Sequence, residues 1–212
     1  MDLRPHLEST LLSATCTGRQ IDTLCQEAKE QQLLGVCVPP FWVKRAQREL
    51  QGSGVLLVTV IGFPYGYQMT EAKMEEAKLA IRDGADELDL VMNISAFKDG
   101  MPWPKIEIAK MANFVHAEGK LLKVIIECPL LEKEEIRQAA LMSADAGADI
   151  VKTSTGTTGV AVDVPTIQLL RDVLPASVGI KASGGIKERD QAIALVRAGA
   201  DRLGTSRALM LL

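Results

Sequence analysis

Gly147-Ala148-Asp149-Ile150-Val151-Lys152 has two counterparts in the chain, Gly84-Ala85-Asp86-Glu87-Leu88-Asp89 before it and Gly199-Ala200-Asp201-Arg202-Leu203-Gly204 after it. In each phrase the glycine suits the left-handed stop of a helix, and a strand follows at once. From Asp86 to Asp149 the chain runs 63 residues, and from Asp149 to Asp201 it runs 52. Both intervals are about twice one strand-helix unit, which needs roughly 30 residues or a little less. One further strand is therefore expected inside each, and Leu122 to Glu127 and Val178 to Ser183 supply them.

Working outward, Leu34 to Val38 and Val55 to Ile61 read as two more apolar strands, and the stretch from Leu7 to Leu12 supplies the first. That makes eight. Amphipathic helical patterns lie between them, for example over Thr70 to Arg82 and Lys133 to Ala146. Strand and helix in strict alternation predict a parallel sheet, and eight such units predict an α/β fold of the (β/α)8, or TIM barrel, kind, one domain over residues 1–212. An open doubly wound sheet is the alternative, but no G-x-G-x-x-G follows the first strand and no G-x-x-x-x-G-K-[ST] occurs. Six residues follow Ser206, too few for a full last helix, so closure on that side is expected to draw on a subunit contact.

Strand parity then sorts the side chains. Successive residues of a strand point to opposite faces, so Ile150, Lys152 and Ser154 share one face and Val151 and Thr153 the other. In the next strand Val178, Ile180 and Ala182 make the apolar face and leave Lys181 inside. In the fourth strand Leu88, Leu90 and Met92 must pack on helices, which sends Glu87 and Asp89 into the barrel; the same logic sends Lys123 and Glu127 inward from the fifth. Such a polar layer can be a set of structural ion pairs. Two lysines one strand apart favour a chemical role, because burial and a like charge both disfavour the ammonium, and a free amine attacks carbonyls.

A second cluster is rich in glycine and hydroxyls. Ser183-Gly184-Gly185-Ile186 follows the seventh strand and Gly204-Thr205-Ser206 ends the eighth, where barrels often hold a phosphate on backbone N–H groups. Thr153-Ser154-Thr155-Gly156 after the sixth strand adds hydroxyls opposite them, and Thr10 of the first strand and Cys37 of the second complete the set of candidate contacts. Phe41, Trp42 and Trp103 read as packing or interface residues, and His6 and His116 have no evident partners.

The bulk composition narrows the partners. With 24 basic and 27 acidic residues, interspersed, and a formal charge of -3, the chain carries no electrostatic footprint for nucleic acid or membrane. Cys16, Cys25, Cys37 and Cys128 show no metal-binding spacing, no run approaches the ~20 apolar residues of a membrane span, and the start at Met1 lacks the pattern of a signal peptide. A reduced cytoplasmic protein acting on a small solute, with no metal held on these cysteines, is the expectation.

These residues, from Val36 to Ser206, resemble the deoxyribose-phosphate aldolase family. The phrases that carry the likeness include Thr59-Val60-Ile61-Gly62-Phe63-Pro64, Lys123-Val124-Ile125-Ile126-Glu127, Val151-Lys152-Thr153-Ser154-Thr155-Gly156, Lys181-Ala182-Ser183-Gly184-Gly185 and Leu203-Gly204-Thr205-Ser206. The resemblance implies a class I aldolase that reversibly cleaves 2-deoxy-D-ribose 5-phosphate to acetaldehyde and D-glyceraldehyde 3-phosphate. It implies that Lys152 forms the Schiff base, that Lys181 lowers the pKa of that lysine, and that Asp89 takes part in proton transfer. It further implies a homo-oligomer, a dimer or larger. The chain departs from the family pattern in places: Glu8-Ser9-Thr10 replaces the usual Asp-His-Thr, Thr157 stands where many relatives have Phe, and Arg207 stands where a small residue is common. The family's tyrosine-bearing tail has no counterpart beyond Leu212. Two other readings remain open from the residues: a lysine-dependent aldolase with another phosphorylated substrate, and a phosphosugar-binding protein without catalysis.

Overall fold

The computed structural model describes residues 1–212. Eight parallel strands close on themselves: β1 (Leu7–Thr10), β2 (Gly35–Val38), β3 (Leu56–Ile61), β4 (Glu87–Val91), β5 (Leu121–Ile125), β6 (Ile150–Lys152), β7 (Gly179–Ser183) and β8 (Arg202–Thr205), with β1 paired to both β2 and β8. Helices fill the outer ring: α1 (Gly18–Glu30), α2 (Val43–Leu50), α3 (Thr70–Arg82), α4 (Ile94–Lys98) and α5 (Trp103–Ala117) between β4 and β5, α6 (Lys133–Asp145), α7 (Val164–Val173) and α8 (Arg189–Arg197). The predicted α3 has the observed bounds, and the strands shift by a residue or two.

The three repeated phrases have a common physical job. Gly84, Gly147 and Gly199 take positive φ of 107°, 98° and 116°, where a side chain is strained. The next N–H, of Ala85, Ala148 or Ala200, bonds back to Ala80, Ser143 or Leu195, which is the Schellman closure of a helix. The aspartate then reaches sideways. Asp86 accepts the Leu57 N–H at 3.0 Å, Asp149 accepts Leu122 N–H at 2.8 Å, and Asp201 accepts Ile180 N–H at 2.8 Å. Each phrase thus stops a helix, starts an even-numbered strand and ties it to the strand before it.

Parity sorts the interior as the alternation predicts. Leu88, Leu90, Met92, Leu122, Val124 and Ile126 belong to the large apolar cluster between sheet and helices. Inside the barrel, Cys37, Val58 and Val60 form a small apolar patch on the β2–β3 side, and the remaining strands contribute charge. Lys152 pairs in register with Lys181, Lys181 with Arg202, and Asp89 with Lys123, so these residues lie at neighbouring levels around the ring.

Two expectations are corrected and a third is narrowed. The barrel closes within one chain: after β8 the residues Ala208–Leu211 form a single 3-10 turn, and Ala208 and Leu211 are buried in place of a last helix. Both histidines have partners, His116 Nε2 lying 2.9 Å from Asp149 Oδ2 and His6 Nδ1 2.9 Å from the Asp201 carbonyl. Phe41 and Trp103 are exposed, so they do not pack in the core.

Candidate active site

A cavity of about 400 Å³ opens at the carboxyl ends of the strands, the end where barrels of this kind carry their chemistry. Its walls come from the segments after β1, β3, β6, β7 and β8. Thr10 stands on one side, Thr155 and Gly156 on a second, and Ser183, Gly184, Gly185, Gly204, Thr205 and Ser206 on a third. All of these were legible as candidates. The glycines there have a steric purpose. At Gly185, where φ is 67°, an added Cβ would stand 2.7 Å from the Ala161 Cβ, so the β6 and β7 loops approach each other only because no side chain intervenes. The N–H groups of Gly185 and Ser206 donate to no protein acceptor, which leaves them free for an anion.

No carboxylate lines the cavity, whereas Lys152, Lys187 and Arg207 all do. Lys187 and Arg207 are exposed and form no ion pair. The site therefore presents positive charge at both its floor and its rim. Lys187 was not singled out from the sequence, although it directly continues the Ser183 to Ile186 phrase. Arg207 was noticed only as a departure from a family pattern, Phe63 only within the Thr59 to Pro64 phrase, and Ser13 escaped notice because nothing local marks it as a lining residue.

Under the floor lies the charged layer. Asp89 Oδ2 accepts Lys152 Nζ at 2.8 Å and Lys181 Nζ at 2.7 Å, and its Oδ1 accepts Lys123 Nζ at 2.9 Å. Lys181 also donates to Glu8, and Lys123 lies 2.6 Å from Glu87, which in turn meets Arg202 at 3.1 Å. Burial alone would raise the pKa of Asp89, but Lys123, Lys152 and Lys181 together hold it well below the carboxylate range. Burial would also raise Glu8, and Lys123 and Lys181 lower it on balance.

The electrostatics of Lys181 differ from what two neighbouring lysines alone suggest. Burial works against its ammonium, but Asp89 and Glu8 outweigh burial and raise its pKa above the ordinary lysine value. Lys181 is a fixed cation, not a free amine near neutral pH. The sequence argument counted the neighbouring lysine and missed Glu8, which stands 173 residues away and meets Lys181 only through barrel closure.

Four candidates lie off the cavity. Thr153 points outward and is fully buried; its hydroxyl donates to the Ser183 carbonyl at 3.0 Å and accepts the Ser183 N–H at 3.0 Å, so it ties β6 to β7. Cys37 is buried inside the barrel beside Val58 and Val60, and burial pushes its thiol up to about 11. That is not a reactive thiolate. Asp89 and Lys181 do not line the cavity either; Asp89 lies behind Lys152, whose Nζ donates to it, and Lys181 shares that Asp89 oxygen.

A barrel that presents one buried lysine amine at the floor of a cationic cavity is built for imine chemistry on a phosphorylated carbonyl compound, which is the class of a lysine-dependent aldolase. Comparison with known proteins agrees. The DeoC/LacD family aldolase model matches residues 1–209. Curated relatives named deoxyribose-phosphate aldolase include one from Brevibacillus brevis, 44% identical over 97% of this chain and 93% of its own length, and one from Aciduliprofundum boonei, 43% identical over 98% and 94%. Among solved structures, the tetrameric deoxyribose phosphate aldolase from Aeropyrum pernix superposes with a TM-score of 0.92 at 34% identity, covering 99% of this chain and 88% of that one. The chain belongs to the DeoC/LacD aldolase family.

Proposed function

We propose that the chain catalyses the reversible retro-aldol cleavage of 2-deoxy-D-ribose 5-phosphate to acetaldehyde and D-glyceraldehyde 3-phosphate through an imine on Lys152. One observation carries the reading: of all the charged residues in the buried layer, Lys152 is the one that also lines the cavity. Lys152 and Lys181 share one Asp89 oxygen, and Lys181 has a second carboxylate in Glu8 whereas Lys152 has none. Lys152 is therefore the amine free to leave the layer and turn to a ligand.

In the reaction, Lys152 Nζ adds to the C1 carbonyl of the open-chain sugar, and loss of water gives an iminium. Removal of the C3 hydroxyl proton breaks the C2–C3 bond, whose electron pair flows into the iminium; glyceraldehyde 3-phosphate leaves and an enamine remains. Protonation at C2 and hydrolysis then release acetaldehyde and return the amine. Asp89 lies directly behind Lys152 without lining the cavity, so we assign its proton transfers to a route through water. Asp89 and Lys181 also hold Lys152 in place. Lys187, Arg207 and the N–H groups of Gly185 and Ser206 offer the phosphate its contacts.

Lys152→Ala should reduce turnover of 2-deoxyribose 5-phosphate to the background rate, and retro-aldol activity undiminished by that change would refute the assignment. A panel of other phosphorylated aldehydes separates this substrate from its nearest alternatives. No helix is long and apolar enough to cross a membrane, in keeping with a proposed cytoplasmic location. A homo-oligomer is proposed as well: the Aeropyrum pernix relative is a tetramer, and Phe41, Tyr65, Tyr67 and Trp103 are exposed here. Light scattering that finds only monomer would remove that proposal.

A further inference from the structure

Glu127 is the one residue of the site region that is costly in two ways at once. It lies just past β5 with φ 53° and ψ 59°, the left-handed region that a residue with a Cβ seldom adopts. Its side chain is also 3% exposed and forms no ion pair, and burial raises its pKa despite the Thr155 N–H and Lys152. Glycine or asparagine would make this turn with less strain. Strained backbone carrying a buried charge persists where the surroundings demand it, and such places cluster at functional sites.

The bonds of Glu127 show what is gained. Both carboxylate oxygens lie 3.2 Å from the Thr155 N–H, which donates across from the β6 loop. On either side the backbone is already tied, Ile126 N–H to the Lys152 carbonyl at 3.1 Å and Cys128 N–H to the Thr153 carbonyl at 2.7 Å. Glu127 therefore extends the β5–β6 ladder beyond Lys152 by means of a side chain. Thr155 passes the constraint on, since its hydroxyl lies 2.8 Å from the Thr157 hydroxyl and accepts the Thr157 N–H at 3.2 Å. Thr155, Gly156 and Thr157 form one wall of the cavity, and Gly156 lies against Gly184 of the β7 loop, where an added Cβ would stand 3.7 Å from the Gly184 Cα.

We propose that Glu127 is a positioning residue for ligand binding: its carboxylate pins the 155–157 wall against the β7 loop, in the place that the substrate's phosphate-bearing end requires. Glu127 does not line the cavity and touches no substrate atom; it acts through Thr155. This deepens the aldolase reading above and rests on it for the choice of ligand.

The test compares Glu127→Ala, Glu127→Gly and Glu127→Gln by kcat, KM and melting temperature with 2-deoxyribose 5-phosphate. Ala and Gly both remove the acceptor, so both should raise KM about tenfold, with the smaller share of the loss in kcat. Gly relieves the left-handed strain, so it should melt above Ala while being equally impaired in KM. Gln keeps an acceptor oxygen, and its KM should stay within about threefold of the parent. Ala and Gly variants with an unchanged KM, or a Gln variant as impaired as Ala, would overturn the proposal. If the parent protein itself shows no turnover, the aldolase reading has failed instead, and calorimetric titration of the same four proteins with 2-deoxyribose 5-phosphate reads the positioning effect without catalysis.

Discussion

Asp89→Asn is the substitution whose outcome the charged layer fixes most closely. The change keeps shape and one acceptor but removes the charge that meets three ammonium groups at 2.9, 2.8 and 2.7 Å. Breaking a buried ion pair by removing one partner costs about 3–5 kcal/mol. Here Lys181 keeps Glu8, Lys123 keeps Glu87, and Lys152 can turn into the cavity, so the loss should sit at the lower end, about 3 kcal/mol. For a chain of this length that is a fall in melting temperature of roughly 6–12 °C. The pH dependence adds a signed check. Asp89 and Glu8 have folded pKa values below their ordinary 3.8 and 4.5, so their contribution is full above those values and is lost as pH falls through the folded ones. Lys181 is raised above 10.5, so its contribution is full below that value and fades only as pH rises through the higher folded one. Melting followed by circular dichroism should therefore show a plateau across neutral pH and a decline below about pH 4, shallower in Asp89→Asn than in the parent. A variant that melts within 2 °C of the parent at pH 7, where about 6 °C is the least expected, would refute the reasoning.

Three further outcomes can be checked separately. Arg207→Ala removes an unpaired guanidinium from the rim, so KM for 2-deoxyribose 5-phosphate should rise about tenfold while KM for unphosphorylated deoxyribose changes little; equal effects on both sugars would count against a phosphate contact. Iodoacetamide at pH 8 should leave Cys37 unmodified in the native protein, because the thiol is buried and its pKa stands at about 11; rapid alkylation there, read by peptide mass spectrometry, would contradict the burial. Gly185→Ala places a methyl 2.7 Å from the Ala161 Cβ at a positive φ, and should cost about 1–3 kcal/mol and weaken substrate binding; an unchanged melting temperature and KM would show that the loops do not need their close approach.

How much of this was legible beforehand follows from the range of each interaction. Local patterns suffice for strands, helices and faces: the Gly-Ala-Asp phrases fix three helix-to-strand junctions, and period-two alternation sends Asp89, Lys123, Lys152 and Lys181 inward, where they are found. The sideways bonds of Asp86, Asp149 and Asp201 were not visible, because a repeated residue does not name its partner. Register and closure are long-range, and they decide the electrostatics. Glu8 on β1 becomes the second partner of Lys181 only when β1 pairs with β8, and with Asp89 it raises the Lys181 pKa against burial. Thr153 was misread for a simpler reason. A hydroxyl beside the lysine assigned to the imine attracts attention, yet parity places Thr153 on the outer face, and the parity was the better guide.

The central claim is that Lys152 forms the imine. Borohydride reduction in the presence of 2-deoxyribose 5-phosphate, followed by peptide mass spectrometry, tests it directly. The account predicts one reduced adduct, on Lys152 and absent without the sugar phosphate; an adduct on Lys181 instead, or none on a protein that still turns over the substrate, would contradict it.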